Sequence, residues 1–343
     1  MGDLEKRVRR TVFVVLTGAA LVGLLTITAA TAAPATARSE KSIAADRTDV
    51  YIKDVAADTG VQPHSYNPLW ASPDIKVCPT AIECAVSQNP IVGVTNYVFV
   101  KLRNPGPYGS GPSTGTLRLY RTTPGGGAIW PTNWTAIGAV GAVIYPGVTT
   151  VTIPWTGVPG PGHFCLLARW VSGTDPMTVE GPDINVNTRY NNNIAWRNVD
   201  SVRLVPGKPV VRPFAIGNAL KERAFSDLVF TAQQPLQDIG GRVIVDLGKD
   251  LFERWQAGGK VGTEVRQVGE TQLELLEPSK AVLGNLLLNP GERLEFSIVF
   301  SAQAPTDKEI AFEVTQFGPD STGEKRADLG GVQYLISAGK DDQ

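Results

Sequence analysis

A succession of short apolar segments, each broken by Gly, Pro or Asn, constrains this chain more than any other feature. In the segment 95–104, Tyr97 and Phe99 alternate with Val98 and Val100, so each pair would lie on one face of a β-strand. Similar segments are predicted at 49–55, 74–78, 116–122, 149–155, 164–172 and 194–204, and again at 210–216, 226–232, 242–247, 271–276, 293–301, 309–317 and 332–337. Short alternating strands with frequent turns predict an all-β sandwich fold.

The stretch Val-Pro-Gly-Lys-Pro at 205–209 is the best candidate for a linker between two groups of strands. A mature chain of about 300 residues is consistent with two domains of roughly 150 residues each. We therefore predict two tandem β-sandwich domains, at 38–205 and 206–343. One short helix is predicted at 250–256, where two following glycines would end it.

Residues 1–37 are typical of an export signal. Basic residues precede an apolar run at 12–27, and small residues follow, with Ala-x-Ala patterns that end at Ala32 and Ala37. This order predicts a removable signal peptide and a secreted, extracellular protein. The alternative is an uncleaved anchor, because an apolar stretch of this length could span a bilayer. The membrane would then be a partner through this segment alone.

The distribution of charge argues against nucleic acid as a partner. The formal net charge is −1 for the whole chain, with +2 in residues 38–205 and −5 in residues 206–343. Proteins that bind nucleic acid concentrate basic residues on one face or element, and neither predicted domain carries such a field.

Cys78 and Cys84 are separated by five residues in a chain predicted to enter an oxidising compartment. We predict a disulfide between them, which would close a short loop and contribute about 2 kcal/mol to stability. Cys165 lies within an apolar segment and is predicted to be a buried free thiol. A metal site is not expected from these cysteines, because no second Cys pair or His pair supplies the other ligands.

The motifs that suggest catalysis lack the context that catalysis needs. Residues 111–115 match the G-x-S-x-G pattern around Ser113, but a nucleophile elbow stands between a strand and a helix, and here a strand follows. A Ser-His-Asp triad also needs a histidine base, and the chain offers only His64 and His163, neither within a recognisable motif. The sequence therefore predicts a protein that is not an enzyme.

Asp183, Asn185 and Asn187 place oxygen ligands at alternate positions, as a calcium loop does. The sixth and twelfth positions of such a loop require Gly and an acid, but here they hold Thr188 and Ile194. The alternative is an extended strand or loop in which the Asn side chains bind nearby turns. Structural calcium is the one cofactor that the sequence leaves open, and no other is predicted.

Trp130 and Trp134 flank a Pro-Thr-Asn turn and are the candidates for an exposed aromatic surface. Such a surface could stack against sugar rings and bind carbohydrate. The alternative is that they belong to the core, because immunoglobulin-like sandwiches bury Trp between their sheets. Trp170 and Trp196 lie in predicted strands and are expected to be core residues.

Within residues 70–200, five segments form a recognisable series, at 72–75, 96–104, 117–120, 163–169 and 191–196. Through these segments the chain resembles bacterial extracellular immunoglobulin-like modules, and among them the cell-adhesion-related domain found in bacteria. The resemblance implies that the two tandem β-sandwich domains are immunoglobulin-like. The resemblance implies a seven-stranded sandwich that serves as an accessory or adhesion unit of a larger secreted system. It implies no catalytic residues.

Together these features predict a secreted, non-enzymatic adhesion or protein-interaction protein. Its affinity would come from loop ends or an uncovered sheet edge rather than from a deep pocket. The expected partner is an extracellular protein or a cell-surface glycan. The alternative function is a carbohydrate-binding accessory module of an extracellular enzyme system, with Trp130 and Trp134 as its contact residues.

Overall fold

β-Strands are the predominant secondary structure of the computed structural model, which describes residues 47–234 and 236–339. The first half contains β1 (Ile75–Cys78), β2 (Asn96–Asn104), β3 (Ser113–Thr122), β4 (Thr135–Ile144), β5 (Gly147–Trp155), β6 (Cys165–Ser172), the helix α1 (Ile184–Tyr190) and β7 (Ile194–Arg197). These strands form two sheets, ordered β1-β2-β5 and β4-β3-β6-β7. All neighbours in both sheets are antiparallel.

The second half forms two larger sheets. It contains β8 (Val199–Leu204), β9 (Val210–Gly217), β10 (Ala224–Ala232), a short 3-10 helix (Leu236–Ile239), β11 (Arg242–Asp246), the helix α2 (Gly248–Ala257), β12 (Gly262–Thr263), β13 (Val265–Gln267), β14 (Gln272–Leu275), β15 (Val282–Leu288), β16 (Arg293–Ser301), β17 (Thr306–Pro319) and β18 (Arg326–Ala338). The sheet orders are β13-β14-β11-β16-β9 and β12-β15-β10-β17-β18-β8. Only the β8–β18 pair is parallel in these two sheets.

Each pair of sheets encloses its own apolar core. In the first pair, Val98 of β2 faces Leu117 of β3, and both are fully buried. In the second pair, Phe214 of β9 and Phe230 of β10 are fully buried in a larger cluster. Alternate residues of each strand enter the core, as the sequence pattern predicts. The predicted all-β sandwich fold is confirmed, and the two pairs are called the first sandwich (β1–β7) and the second sandwich (β8–β18) below.

The segment 205–209, predicted to be a linker, is a tight turn between β8 and β9. Val205 and Lys208 form an isolated bridge across it. β8 precedes this turn but pairs with β18 in the second sandwich, where Val202 and Leu204 are buried. Because the described residues belong to one compact unit, the division into domains at 205/206 stays a prediction.

The helix predicted at 250–256 is confirmed as α2. Leu251, Phe252 and Trp255 form its buried face, and Gly258 follows its last residue. The spacing of these three apolar residues is that of one helical face, which explains why this segment does not continue the strand pattern.

The predicted signal peptide at 1–37 lies outside the described residues, so its presence and cleavage stay predictions. Within residues 47–234 and 236–339, no helix combines the length and the apolar character that a membrane span requires.

Candidate functional site

β4 and β5 are outer strands of the two sheets of the first sandwich, and a tight hairpin joins them. β4 pairs with β3 and β5 pairs with β2. Among the residues that the structure describes, neither strand has a backbone hydrogen-bond partner on its other side. Gly147 begins β5 with φ of 123°, a left-handed value that favours glycine. The hairpin therefore passes from one sheet to the other and leaves two free edges next to each other.

β4 is an edge strand without the usual protection. Its outer face exposes Ala139, Gly141 and Val143, whereas Val140 and Ala142 are partly buried against the core. A free edge presents unpaired N–H and C=O groups, and natural proteins blunt such edges with charged side chains, Pro or bulges. No Asp, Glu, Lys or Arg occurs anywhere in residues 122–168, and β4 contains no Pro. We call residues 135–144 the open edge.

One irregularity lies near the start of the open edge. The register to β3 shifts by one residue between the pairs Leu119–Gly138 and Tyr120–Ala136. The extra residue is Ile137, and the pairing is regular from there to the end of the strand. A bulge at this position changes the twist of β4 only near its first residues. Residues 138–144 remain a regular strand with which another strand could pair.

The hairpin tip extends the apolar surface of the open edge. Val143, Tyr145 and Val148 expose 44%, 63% and 58% of their surface. Single exposed apolar residues are ordinary, but a group of them beside a free edge marks an interaction surface.

The opposite side of the first sandwich is closed. The chain that follows β1 turns back over it, and the Val77 N–H donates to Ser87 Oγ at 3.0 Å. β7 is covered in the same way by the segment before β1, because the Ser72 N–H donates to the Trp196 carbonyl at 3.2 Å. Both edges are thereby occupied by other parts of the chain.

The long edges of the second sandwich are protected at single points by other segments and elsewhere by their own residues. The Asn89 side chain caps β8 at Ser201, because its Nδ2 donates to the Ser201 carbonyl at 2.9 Å and its Oδ1 accepts from the Ser201 N–H at 3.1 Å. The segment 124–126 covers β9 at Ala215, where the Ala215 N–H donates to the Pro124 carbonyl at 2.8 Å and the Gly126 N–H donates to the Ala215 carbonyl at 2.9 Å. β8 also carries Asp200 and Arg203, and β9 carries Arg212 and Pro213; charged residues and Pro protect a free edge from pairing.

The two remaining edge strands are too short to serve as templates. β12 has two residues and β13 has three. Short edge strands are themselves a protection against pairing. Within residues 47–234 and 236–339, the ten residues of β4 and the nine of β5 are therefore the long open edges, and β5 carries Pro154 near its end.

The two tryptophans proposed as an exposed surface do not form one. Trp134 is only 8% exposed and packs in an apolar cluster with Trp70 and Trp196. Trp130 is half-buried, and its ring lies under the Arg169 guanidinium at 4.5 Å. The planes of Trp130 and Trp134 are inclined by 57°, so they do not make a flat surface. The expectation that Trp134 lies on the surface is wrong, because the loop folds it onto the outer face of the β3-β6-β7 sheet.

The core tryptophans and the cysteines are where the sequence places them. Trp170 and Trp196 are buried, as predicted. Cys78 and Cys84 form the predicted disulfide, with their Sγ atoms 2.08 Å apart. Cys165 is a buried free thiol, and burial raises its pKa above the usual range.

The segment proposed as a calcium loop or an extended strand is a helix. Asp183 is the N-cap of α1, and its Oδ1 accepts from the N–H groups of Asn185 and Val186 at 2.9 and 3.2 Å. Asn187 Oδ1 accepts from the Gly181 N–H at 2.7 Å. The prediction of an extended chain is wrong, because the Asp183 cap starts a helix that brings these side chains onto neighbouring backbone.

Ser113 lies in a strand and not in an elbow. It begins β3 and is fully buried, and its Oγ lies 2.9 Å from Thr48 Oγ1 and 3.3 Å from Ser172 Oγ. Trp170 Nε1 donates to the same oxygen at 3.4 Å. These partners hold the hydroxyl in the wall between β3 and β6, and no imidazole is among them.

Each histidine has an acidic neighbour that the sequence did not indicate. His64 Nε2 lies 2.9 Å from Asp54 Oδ2, and His163 Nδ1 lies 3.6 Å from Asp200 Oδ2. All four side chains are almost completely buried. Burial lowers the pKa of both imidazoles, so both favour the neutral form.

No family model matches this chain, and no curated protein matches it either. Solved structures with some similarity include AvmM, which catalyzes macrocyclization in alchivemycin A biosynthesis, at 9% identity over 41% of this chain and 86% of that one, with a TM-score of 0.21. The CupB6 tip adhesin from Pseudomonas aeruginosa is 11% identical over 78% of this chain and 99% of its own, with a TM-score of 0.21. The collagen adhesin from S. aureus is 9% identical over 77% and 92%, with a TM-score of 0.22. All three scores are low.

The open edge is the feature that the sequence located least well. The absence of charge from residues 122–168 is visible in the sequence and was the available signal. The sequence could not show that other edges are covered, because that depends on contacts such as Asn89 with Ser201, which are far apart in the chain.

Proposed function

We propose that this protein is a secreted, non-enzymatic adhesion or protein-interaction module that accepts a strand of an extracellular protein along the open edge. The observation that carries this proposal is the ten-residue β4, which is uncharged, free of Pro and, among the described residues, without a backbone partner on the side away from β3. In strand addition, main-chain hydrogen bonds give affinity and alternate side chains give specificity. β4 offers both, through its free backbone groups and its exposed Ala139 and Val143.

Three further observations support a secreted binding protein. The Cys78–Cys84 disulfide is the kind of bond that persists in oxidising compartments. The surroundings of Ser113 contain hydroxyl groups and a tryptophan rather than a base, which favours a structural role for it. The resemblance of residues 70–200 to the cell-adhesion-related domain of bacteria points to the same class of function.

Carbohydrate binding through Trp130 and Trp134 has less support. Trp134 is buried, and Trp130 Nε1 donates to Glu180 Oε1 at 2.8 Å while Arg169 covers one face of its ring. A sugar ring would have to displace the Arg169 guanidinium before it could stack there.

Peptide selection tests the proposal. A displayed library of ten-residue peptides is selected on the immobilised mature protein (38–343), and a selected peptide is then examined by hydrogen–deuterium exchange. We expect the peptide to slow amide exchange in residues 135–144, because strand addition hydrogen-bonds the outer N–H groups of an edge. Protection confined to another part of the chain, or no selected peptide at all, would overturn the proposal.

A pair of valines supplies a matched control. Val143 lies on the open edge, Val211 lies on β9 beside Arg212 and Pro213, and both valines are exposed. We expect Val143→Lys to weaken peptide binding by about tenfold or more, because lysine on an edge is a natural guard against pairing. Val211→Lys should leave binding unchanged. Equal effects of the two substitutions would contradict strand addition at β4.

A further inference from the structure

The sequence of the open edge is self-complementary, so that two copies of β4 could pair with each other. Residues 138–144 read Gly-Ala-Val-Gly-Ala-Val-Ile. An antiparallel pair of identical strands that is symmetric about Gly141 sets Val140 opposite Ala142, Ala139 opposite Val143 and Gly138 opposite Ile144. Every pair combines a larger with a smaller side chain, and both members of each pair lie on the same face of the sheet.

From this pattern we propose that the occupant of the open edge is the open edge of a second copy of this chain, in an antiparallel pair centred on Gly141. This inference rests on the proposed function, because it names the strand that is added. The product is an isologous two-fold dimer, in which the same patch of both copies is used. The two sheets would join into one, ordered β7-β6-β3-β4-β4-β3-β6-β7.

The charge of the edge favours this occupant. No Asp, Glu, Lys or Arg occurs in residues 122–168, so two copies bring no like charges together along β4. Like charges directly opposite on paired strands are destabilising, and most strands of this chain carry at least one charged residue. β4 of a second copy can therefore pair with this edge without electrostatic repulsion.

Packing gives the same answer on both faces. Ile137, Val140 and Ala142 contact the first sandwich's core but remain only partly buried at its rim. A second β4 would extend this core with the same three residues and cover them. On the outer face, a Cβ added at Gly141 would have no atom nearer than the Gly115 carbonyl oxygen at 3.9 Å. The centre of the edge is thus open to a closely approaching strand.

The hairpin tip would be buried by the same symmetry. Tyr145 directly follows β4, so in this register it lies beside the start of β4 of the second copy, and it is 63% exposed in the single chain. The largest exposed apolar side chain of the tip would thereby lose contact with water on dimerisation.

Cysteine cross-linking at the two-fold axis tests the register. Gly141→Cys places two thiols opposite each other, and oxidised glutathione should link them into a covalent dimer on a non-reducing gel. Cys165 will not compete, because it is buried, and Cys78 and Cys84 are already joined. Val211→Cys is the matched control on the β9 edge and should stay monomeric under the same conditions.

Sedimentation equilibrium of the mature protein tests the dimer without a new thiol. We expect a monomer–dimer equilibrium that Val143→Lys shifts to monomer and Val211→Lys leaves unchanged. A wild-type protein that stays monomeric at all concentrations, or a dimer that survives Val143→Lys, would overturn the inference. If the wild type is monomeric but a selected peptide still protects residues 135–144, the inference fails and the proposed function stands. If neither dimer nor peptide binding is found, both fail.

Discussion

His64 Nε2 lies 2.9 Å from Asp54 Oδ2 at a point of the first sandwich where the two side chains are 6% and 0% exposed. Burial raises the pKa of Asp54 well above its usual value, and the neighbouring Asp58 raises it further. Burial also lowers the pKa of His64. Both shifts favour the uncharged forms of the two side chains.

Asp54→Asn is expected to stabilise the protein increasingly, relative to wild type, as the pH rises above 3.8, the ordinary pKa of the side chain. Between that value and the raised folded-state pKa, the folded state keeps a proton that the unfolded state has lost. Wild-type stability therefore falls with rising pH across this window. Asn cannot ionise and removes the loss. Urea denaturation of both proteins at a series of pH values measures the difference.

His64→Gln should show the opposite trend. The folded-state pKa of His64 lies below 6.5, so the unfolded state binds a proton first as the pH falls through that value, and wild-type stability decreases. Gln removes this decrease, and the stability of the variant relative to wild type should rise as the pH is lowered. A parallel pH dependence for wild type and both variants would show that the pair does not titrate in these windows.

The sequence predicted strands and faces better than partners. Alternation of residues such as Tyr97 and Val98 predicted β2 correctly, because a strand turns successive side chains to opposite faces wherever it lies. The same alternation in β8 said nothing about its pairing with β18, which is more than a hundred residues away along the chain. The two-residue period of apolar side chains determines which face of a strand is apolar. Which strand pairs with it depends on the packing of the whole chain.

The errors have a common physical origin. The pattern at Asp183 predicts a calcium loop or an extended chain, but the Asp183 carboxylate caps α1. The loop position of Trp134 favours the surface over the core, but the loop folds back over the sheet and buries the ring. In both cases the local sequence indicates a polar or loop residue correctly, and tertiary contacts decide what that residue does.

Removing the disulfide with Cys78→Ser and Cys84→Ser is expected to cost about 2 kcal/mol, because the closed loop is short. The loss should also loosen the chain that covers β1, where the Val77 N–H donates to Ser87 Oγ. Hydrogen–deuterium exchange at Val77 should therefore accelerate, while exchange at β4 stays the same. Ser87→Ala in the disulfide-bonded protein is the control, because it removes the same hydrogen bond and keeps the loop closed.

Trp134→Ala is expected to destabilise the protein by about 3–5 kcal/mol, the usual cost of a large cavity in an aromatic cluster. Its ring packs edge-on against Trp196, 6.5 Å between centroids. Trp130→Ala should cost less, about 2 kcal/mol, because its ring is only half-buried, although it also packs against Tyr120 and contacts Arg169. Thermal or urea denaturation measures the free energy of unfolding of both variants. If Trp134→Ala instead abolished carbohydrate binding without changing the free energy of unfolding, the result would show that Trp134 contacts carbohydrate rather than stabilises the fold.

Asn89→Ala is expected to expose the edge of β8. The Asn89 amide makes two hydrogen bonds with the backbone of Ser201, and its Nδ2 also donates to Asp200 Oδ1 at 2.6 Å. We expect a loss of about 1–2 kcal/mol in stability and faster amide exchange at Ser201.

Gln88→Ala is the matched control, since Gln88 contacts β1 through its backbone N–H and its side chain is exposed. Because β8 carries Asp200 and Arg203 while β4 carries no charge, the opened β8 should not dimerise as β4 does. A dimer that strengthens in Asn89→Ala would mean that any free edge of this chain associates, and that the sequence of β4 is not what selects its partner.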